Sequence, residues 1–241
     1  MTIDLAAFKN PALQFSGGKD SLACLGLLGE QLDRVGVYWL NTGDTCPETL
    51  DVIAEVRTWI PNFIEVRSDV ASWRDTYGMP SDLIPAKSHF LGKAYGMSDT
   101  RVSNRFDCCY YNLMLPMHRR MIADGVDAVI RGTKLADTGK VPAEGPGDGY
   151  HVILPIRDWS HAQVFEYLRQ IGAPENKVYE HFKNTSAPEC LHCTAWWDDG
   201  KSAYLKQRHP AVYNEYVVHL STLRDLMRSH LADLDNELTL V

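Results

Sequence analysis

The sequence predicts an α/β chain: a doubly wound, mostly parallel sheet followed by a helical C-terminal extension. Three observations carry this expectation. Short apolar runs at 13–15, 35–40, 63–67 and 126–130 alternate with longer stretches of helical period. That is the pattern of buried strands with helices on both faces. Glycine turns join strand to helix, most plainly at Gly17-Gly18. The last stretch, 212–238, sets Val217, Leu220, Leu223, Leu226, Met227, Leu231 and Leu234 at helical spacing.

Taken in order, the first strand runs into Phe15-Ser16-Gly17-Gly18-Lys19-Asp20-Ser21. A strand that hands over to a helix through glycine leaves backbone N–H groups aimed at one spot, with the positive helix end behind them. This is a phosphate cradle. Gly17 and Gly18 permit the bend, Lys19 adds a point charge, and Ser16 and Ser21 add hydroxyls. The spacing is neither that of the Walker loop nor that of the dinucleotide fingerprint. A helix follows over 19–31, burying Leu22, Leu25, Leu27 and Leu28, with Cys24 as a small core residue.

The second strand leads into Asn41-Thr42-Gly43-Asp44-Thr45-Cys46-Pro47-Glu48. Proline with an acid after it opens a helix there, and in a doubly wound sheet this loop lies beside the first. Cys46 reads as a packing residue or as a thiol near the ligand. The third strand precedes a helix at 70–77. From 78 to 105 there is little period, and Lys87, His89, Lys93, Arg101 and Arg105 make the segment basic. It reads either as a lid over an anionic substrate or as a solvated loop. A helix over 106–121 opens on Cys108-Cys109, and the strand at 126–130 leads to Arg131-Gly132-Thr133-Lys134-Leu135-Ala136-Asp137. After a glycine- and proline-rich loop at 139–150, Ser160 caps a helix over 161–171.

Composition bounds the function classes. With 241 residues, 45% apolar and 23% charged, the chain reads as one large globular domain with an appendage. A formal charge of −7 argues against indiscriminate binding to nucleic acid or membrane surfaces and leaves room for a local basic groove. No apolar run reaches membrane-spanning length and residues 1–10 carry no signal-peptide pattern, so a cytoplasmic chain without a membrane partner is expected. In a reducing compartment six cysteines read as ligands or reactive thiols. Cys108-Cys109 and Cys190-x-x-Cys193 together supply four thiolates. That is the ligand count of a [4Fe–4S] cluster or a structural zinc, and free thiols are the remaining reading. His192, between the second pair, reads as a local hydrogen-bond partner.

The run Ser16-Gly17-Gly18-Lys19-Asp20-Ser21 after a strand resembles the PP-loop of the ATP pyrophosphatases, the adenine nucleotide α-hydrolase superfamily. Within it, residues from about 12 to 195 resemble the phosphoadenylylsulfate (PAPS) reductase family. Thr42, Gly43, Pro47 and Glu48 match a family segment in which Asn41 replaces aspartate and Cys46 replaces phenylalanine. Gly132 and Lys134 fall in a phosphate-facing segment where the family has arginine, and Pro155-Ile156-Arg157-Asp158-Trp159-Ser160 resembles another. The paired cysteines resemble those of the cluster-bearing adenylylsulfate reductases.

The resemblance implies a Rossmann-like domain over 1–195 and a helical extension over 196–241. It implies nucleotide contacts from Ser16, Gly17, Gly18, Lys19, Asp20, Ser21, Asn41, Thr42, Gly43, Gly132, Lys134 and Arg157. Lys19, Asp20, Asp44 and Cys46 would be catalytic, with Asp20 or Asp44 holding Mg²⁺. Cys108, Cys109, Cys190 and Cys193 would hold a [4Fe–4S] cluster, with zinc as the alternative. Family reductases attack sulfur with a cysteine in a short C-terminal tail; 194–241 has none, while the loop keeps the full motif of the ATP-cleaving members. The expected reaction is therefore ATP to AMP and pyrophosphate, adenylating an acceptor for sulfur transfer. A cysteine desulfurase would donate sulfur. Nucleic acid would be the acceptor, as in RNA thiolation or DNA phosphorothioation, and the C-terminal stripe could form a homodimer. A thioredoxin-dependent reductase of adenylylsulfate or PAPS, and a non-catalytic nucleotide- or cluster-sensing subunit, are the alternatives.

Overall fold

The computed structural model describes residues 3–97, 102–147, 149–182, 187–197 and 200–240; Arg101, part of the expected basic loop, lies outside them. The chain runs β1 (Pro11–Gln14), α1 (Lys19–Leu28), β2 (Gly36–Asn41), α2 (Pro47–Arg57), β3 (Phe63–Arg67) and α3 (Val70–Tyr77). Next come β4 (Met79–Ser81), α4 (Phe90–Ala94), β5 (Val102–Asn104), α5 (Arg105–Cys109), α6 (Leu115–Ala123) and β6 (Ala128–Ile130). Then follow α7 (Leu135–Thr138), β7 (Gly145–Pro146), β8 (His151–Ile153), α8 (His161–Gln170), α9 (Lys201–Arg208) and α10 (Pro210–Thr239).

The main sheet has the order β3-β2-β1-β6-β8-β7, parallel except for β7 at its edge. Leu13 of β1 sits opposite Val37 on one side and Ile130 on the other. The order reverses beside β1, so the loops after β1 and β6 splay apart at the carboxyl edge. That crevice is where doubly wound sheets bind ligands. One face packs Leu13, Phe15 and Val37 against Leu22, Leu25, Val52, Ile53 and Val164 of the helices. The other packs Ala12, Tyr38 and Val129 against Met117 and Met121 of α6. Each fully buried Leu, Ile or Phe contributes about 1.5–3 kcal/mol.

The expected elements recur with four differences. The first helix stops at Leu28, because Gly29 turns to φ +50° and a 3₁₀ stretch takes over. The segment from 78 to 105 is not structureless: β4 and β5 pair in parallel and α4 lies between them. The cysteine-bearing helix is broken by a π turn at Tyr110–Met114. The C-terminal extension begins inside the protein. Tyr204, Leu205 and Tyr216 pack in one cluster with Cys46, Val178, Tyr179, Phe182 and Leu191. Only later does α10 emerge, and Leu231, Leu234 and Leu238 are exposed. Among the described residues no helix is long and apolar enough to cross a membrane.

Candidate functional site

Two clefts meet over the loop after β1. The larger, about 590 Å³, is lined by Gln14, Ser16, Asp20 and Ser21, by Arg131, Gly132 and Thr133 after β6, and by α6 residues including His118. Its size is that of ordinary small-ligand sites. The second, about 480 Å³, lies on the other side of the loop, lined by Gly18, Lys19, Asp137, His161 and Tyr179. Ser16, Asp20, Asp137 and Glu189 border both.

Local chemistry shapes the loop. Gly17 sits at φ +77°, where a Cβ would also press on Thr49 and Ile53 at 3.0 Å. Gly132 admits the β6 loop against the backbone of Asp20, which a Cβ would meet at 2.8 Å. Ser21 Oγ donates to the Gly18 carbonyl at 2.9 Å and accepts the Ser16 N–H at 3.2 Å, closing the turn. The Lys19 N–H donates to Tyr179 Oη at 3.2 Å.

Between the clefts runs a chain of alternating charge. Lys19 Nζ lies 2.7 Å from Asp20, whose other oxygen is 3.0 Å from Lys134 Nζ; Lys134 in turn lies 2.5 Å from Asp137. Lys19 and Lys134 are almost wholly enclosed. Burial holds Lys19 below the usual lysine range, against the pull of Asp20. Burial also pushes Lys134 down, but its bonds to Asp137 and Asp20 outweigh this and hold it above that range.

Beside these two clefts lies a third cavity, about 320 Å³, lined by Cys108, Cys109, Cys190 and Cys193 together. The π turn lets Asn112 donate to the Cys108 carbonyl at 2.9 Å, with its Nδ2 3.8 Å from the Cys108 sulfur. Thr42 Oγ1 is 3.6 Å from the Cys190 sulfur. The β4–β5 pair braces the second cysteine loop, since Thr194 donates to the Pro80 carbonyl at 2.6 Å. Burial pushes the Cys108 thiol up to about 11, against the nearby Arg74, and the Cys109 thiol up to about 12. Arg74 and Lys201 supply enclosed cations. Among the described residues no group of three or more His, Cys, Asp or Glu is placed to hold a metal ion.

The structure thus gathers Ser16, Gly18, Lys19, Asp20, Ser21 and Gly132 around the two clefts, with Lys134 buried behind Asp20, and the four paired cysteines around the third. Other expected residues stand elsewhere. Asp44 is engaged by Arg74 at 2.5 Å and by the His192 ring and N–H at 2.5 and 3.1 Å, on the cysteine side. His192 is the hydrogen-bond partner expected. Asn41 donates to Glu65 at 2.9 Å and accepts the Gly43 N–H, and Thr42 faces Cys190. Arg157 is exposed, 3.6 Å from Glu144, and lines none of these clefts. Cys46 is fully buried in the apolar cluster shared with α9, and burial pushes its thiol up to about 12. Of the basic segment, His89 pairs with Asp107 at 3.2 Å and Arg105 with Asp82. Arg105 stacks 3.9 Å over Trp196, which holds a positive φ of 67° at the wall between the second cleft and the cysteine cavity.

Sequence reasoning missed Asp137, Glu189, Arg74 and Lys201. Glu189 borders all three cavities, with its side chain exposed to solvent. Only its position beside Cys190 could have flagged it.

A parallel sheet with a two-glycine loop and a cleft at its switch point defines a doubly wound α/β protein with its candidate ligand site at the carboxyl edge. A sequence profile described as the phosphoadenosine phosphosulfate reductase domain matches residues 10–195, and the chain belongs to that family. The phosphoadenosine 5′-phosphosulfate reductase of Proteus mirabilis is 24% identical over 197 residues, covering 79% of this chain and 73% of that protein. The adenosine 5′-phosphosulfate reductase of Neisseria meningitidis is 23% identical, covering 73% and 72%. Among solved structures, the PAPS reductase from Candida auris aligns with a TM-score of 0.48 at 19% identity, over 71% of this chain and 77% of that one. The U34-tRNA thiolase NcsA from Methanococcus maripaludis, with its [4Fe–4S] cluster, gives 0.47 at 16%, over 90% and 72%.

Proposed function

We propose that the chain binds ATP across its two clefts and cleaves it between the α and β phosphates, adenylating an acceptor that then takes up sulfur. One observation carries this reading: two enclosed lysines from different loops converge on the single carboxylate of Asp20, between a cleft of nucleoside size and a second pocket beside it. The acceptor oxygen attacks the α phosphorus in line, and the bond to the bridging oxygen breaks. Pyrophosphate leaves toward Lys19, which lines the second pocket and stabilises it without reorganisation, while Lys134 acts through Asp20. A sulfur nucleophile then replaces the activated oxygen and AMP departs. Asp20 keeps the two lysines apart and in place. Mg²⁺, carried by the nucleotide with Asp20 as its protein ligand, would supply further charge neutralisation.

The four paired cysteines would hold a [4Fe–4S] cluster, with zinc as the alternative. A single ion draws its ligands to within about 2.3 Å of one point. A cube is bound at its corners, which suits thiols distributed around a cavity. Such a group would supply a sulfur-rich anionic centre one wall away from the nucleotide. A cysteine desulfurase as donor and a nucleic acid as acceptor complete this reading.

The names of the curated relatives favour a second reading, reduction of adenylylsulfate or PAPS to sulfite with an external thiol. Side-by-side incubation decides between them. The first reading expects slow release of AMP and pyrophosphate from ATP with water as acceptor, and no sulfite from either sulfated nucleotide in the presence of thioredoxin. Thiol-dependent sulfite with ATP left intact would replace it by the second.

A further inference from the structure

Lys201 opens α9, beyond the residues that the family profile matches. Its side chain is fully enclosed and lines the cysteine cavity. Nζ donates to the Cys190 carbonyl at 3.0 Å, and among the described residues it pairs with no carboxylate. Among the described residues the ionisable groups that act on it are Cys46, Cys190, Cys193 and Arg74. The other enclosed lysines differ: Lys19 has Asp20, and Lys134 has Asp20 and Asp137. The arginines lining the same cavity are also matched, Arg74 by Asp44 and Arg105 by Asp82. An enclosed ammonium without a counter-ion is strongly unfavourable. Among the described residues no carboxylate meets this amine, and an anion in the cavity it faces would stabilise its charged form.

We propose that Lys201 is the fixed counter-charge of a tetrathiolate metal centre held by Cys108, Cys109, Cys190 and Cys193. This rests on the reading of the four cysteines given above. Zinc with four thiolates and an oxidised four-iron cube with four thiolates are both net dianionic, so the ammonium would offset half of either charge. Lys201 is a positioning residue: an ammonium has no lone pair to coordinate a metal, and it acts through its charge and through the Cys190 carbonyl that it holds. The C-terminal extension is then a working part of the cysteine site.

The test uses full-length Lys201→Met and Lys201→Gln beside the wild-type chain, purified anaerobically. Iron, acid-labile sulfide and zinc are measured per chain, along with the rate of metal release to a chelator and the melting temperature of each metal-free form. Glutamine keeps a donor for the Cys190 carbonyl but removes the charge. Both variants are expected to release the metal at least about tenfold faster than wild type. Metal-free Lys201→Met should melt above the metal-free wild type, because an unpaired buried charge has gone. If iron and sulfide are present, the centre's reduction potential should become more negative in both variants.

Release from Lys201→Gln at the wild-type rate would make the hydrogen bond the whole role and overturn the proposal. So would unchanged release from both variants, or metal-free variants that both melt below wild type. A wild-type chain that retains neither iron nor zinc would remove the four-cysteine reading itself, and this proposal with it. Iron with sulfide, or zinc, identifies which centre is present.

Discussion

The nucleotide clefts and the cysteine cavity share a wall of Ala187, Glu189 and Trp196, yet they hold charge in opposite ways. In the clefts every enclosed lysine is already matched, in the series Lys19, Asp20, Lys134, Asp137. Such a site is set before its ligand arrives and loses little order when one leaves. In the cavity Arg74 is matched by Asp44, while Lys201, which burial holds below the usual lysine range, faces thiols that burial pushes up. On the reading proposed above, a bound metal centre would ionise the sulfurs and give Lys201 its counter-charge. On that reading the first site would be organised by its own residues and the second by its occupant.

Four substitutions break or sharpen this contrast, from large effects to small. Asp44→Asn leaves Arg74 enclosed without its counter-ion and loosens the second cysteine loop; both side chains are about nine-tenths buried. Removing one partner of such a pair costs about 3–5 kcal/mol, which denaturant unfolding of the metal-free chain should register. Lys19→Met leaves Asp20 paired with Lys134, so the fold should survive. The loss falls instead on ATP cleavage, by about 10²–10³-fold in kcat, read from pyrophosphate release.

Tyr204→Phe removes the hydroxyl that bonds Glu48 at 2.8 Å and His209 at 3.0 Å. It should lower stability by about 1 kcal/mol. Burial pushes Glu48 up, but bonds from its backbone and Tyr204, with the His209 charge, hold it below the usual carboxylate range. A carboxyl more acidic in the folded state contributes stability that is complete above its unfolded value and lost as pH falls through its folded one. Melting followed from about pH 6 to about pH 3 should therefore show a shallower acid loss in Tyr204→Phe than in wild type. Leu234→Ser, on the exposed end of α10, should stay within about 0.5 kcal/mol of wild type. A larger drop in apparent stability that depends on protein concentration would reveal a second copy packed there.

The phosphate loop was legible because its chemistry is local: strand, glycine turn, lysine and helix follow one another within a few residues. The four cysteines were legible by count and spacing. Their surroundings were not. Arg74, Glu189 and Lys201 reach the cavity from α3, a loop and α9, and nothing in their own neighbourhoods announces it. Asp137 escaped for the same reason: it bonds Lys134 three residues away, but the Asp20 that Lys134 also meets is distant in the chain. Asp44 was misleading: its loop looked nucleotide-facing, while α3 places Arg74 where it draws the carboxylate toward the cysteines. The β4 and β5 strands, three residues each, are too short to leave a period of two.

The central claim is cleavage between the α and β phosphates at the loop after β1. Phosphorus NMR of ATP and Mg²⁺ incubated with the metal-loaded full chain tests it most directly. The account predicts resonances of AMP and pyrophosphate that grow together and are absent with Lys19→Met. Growth of ADP and inorganic phosphate in their place would contradict it.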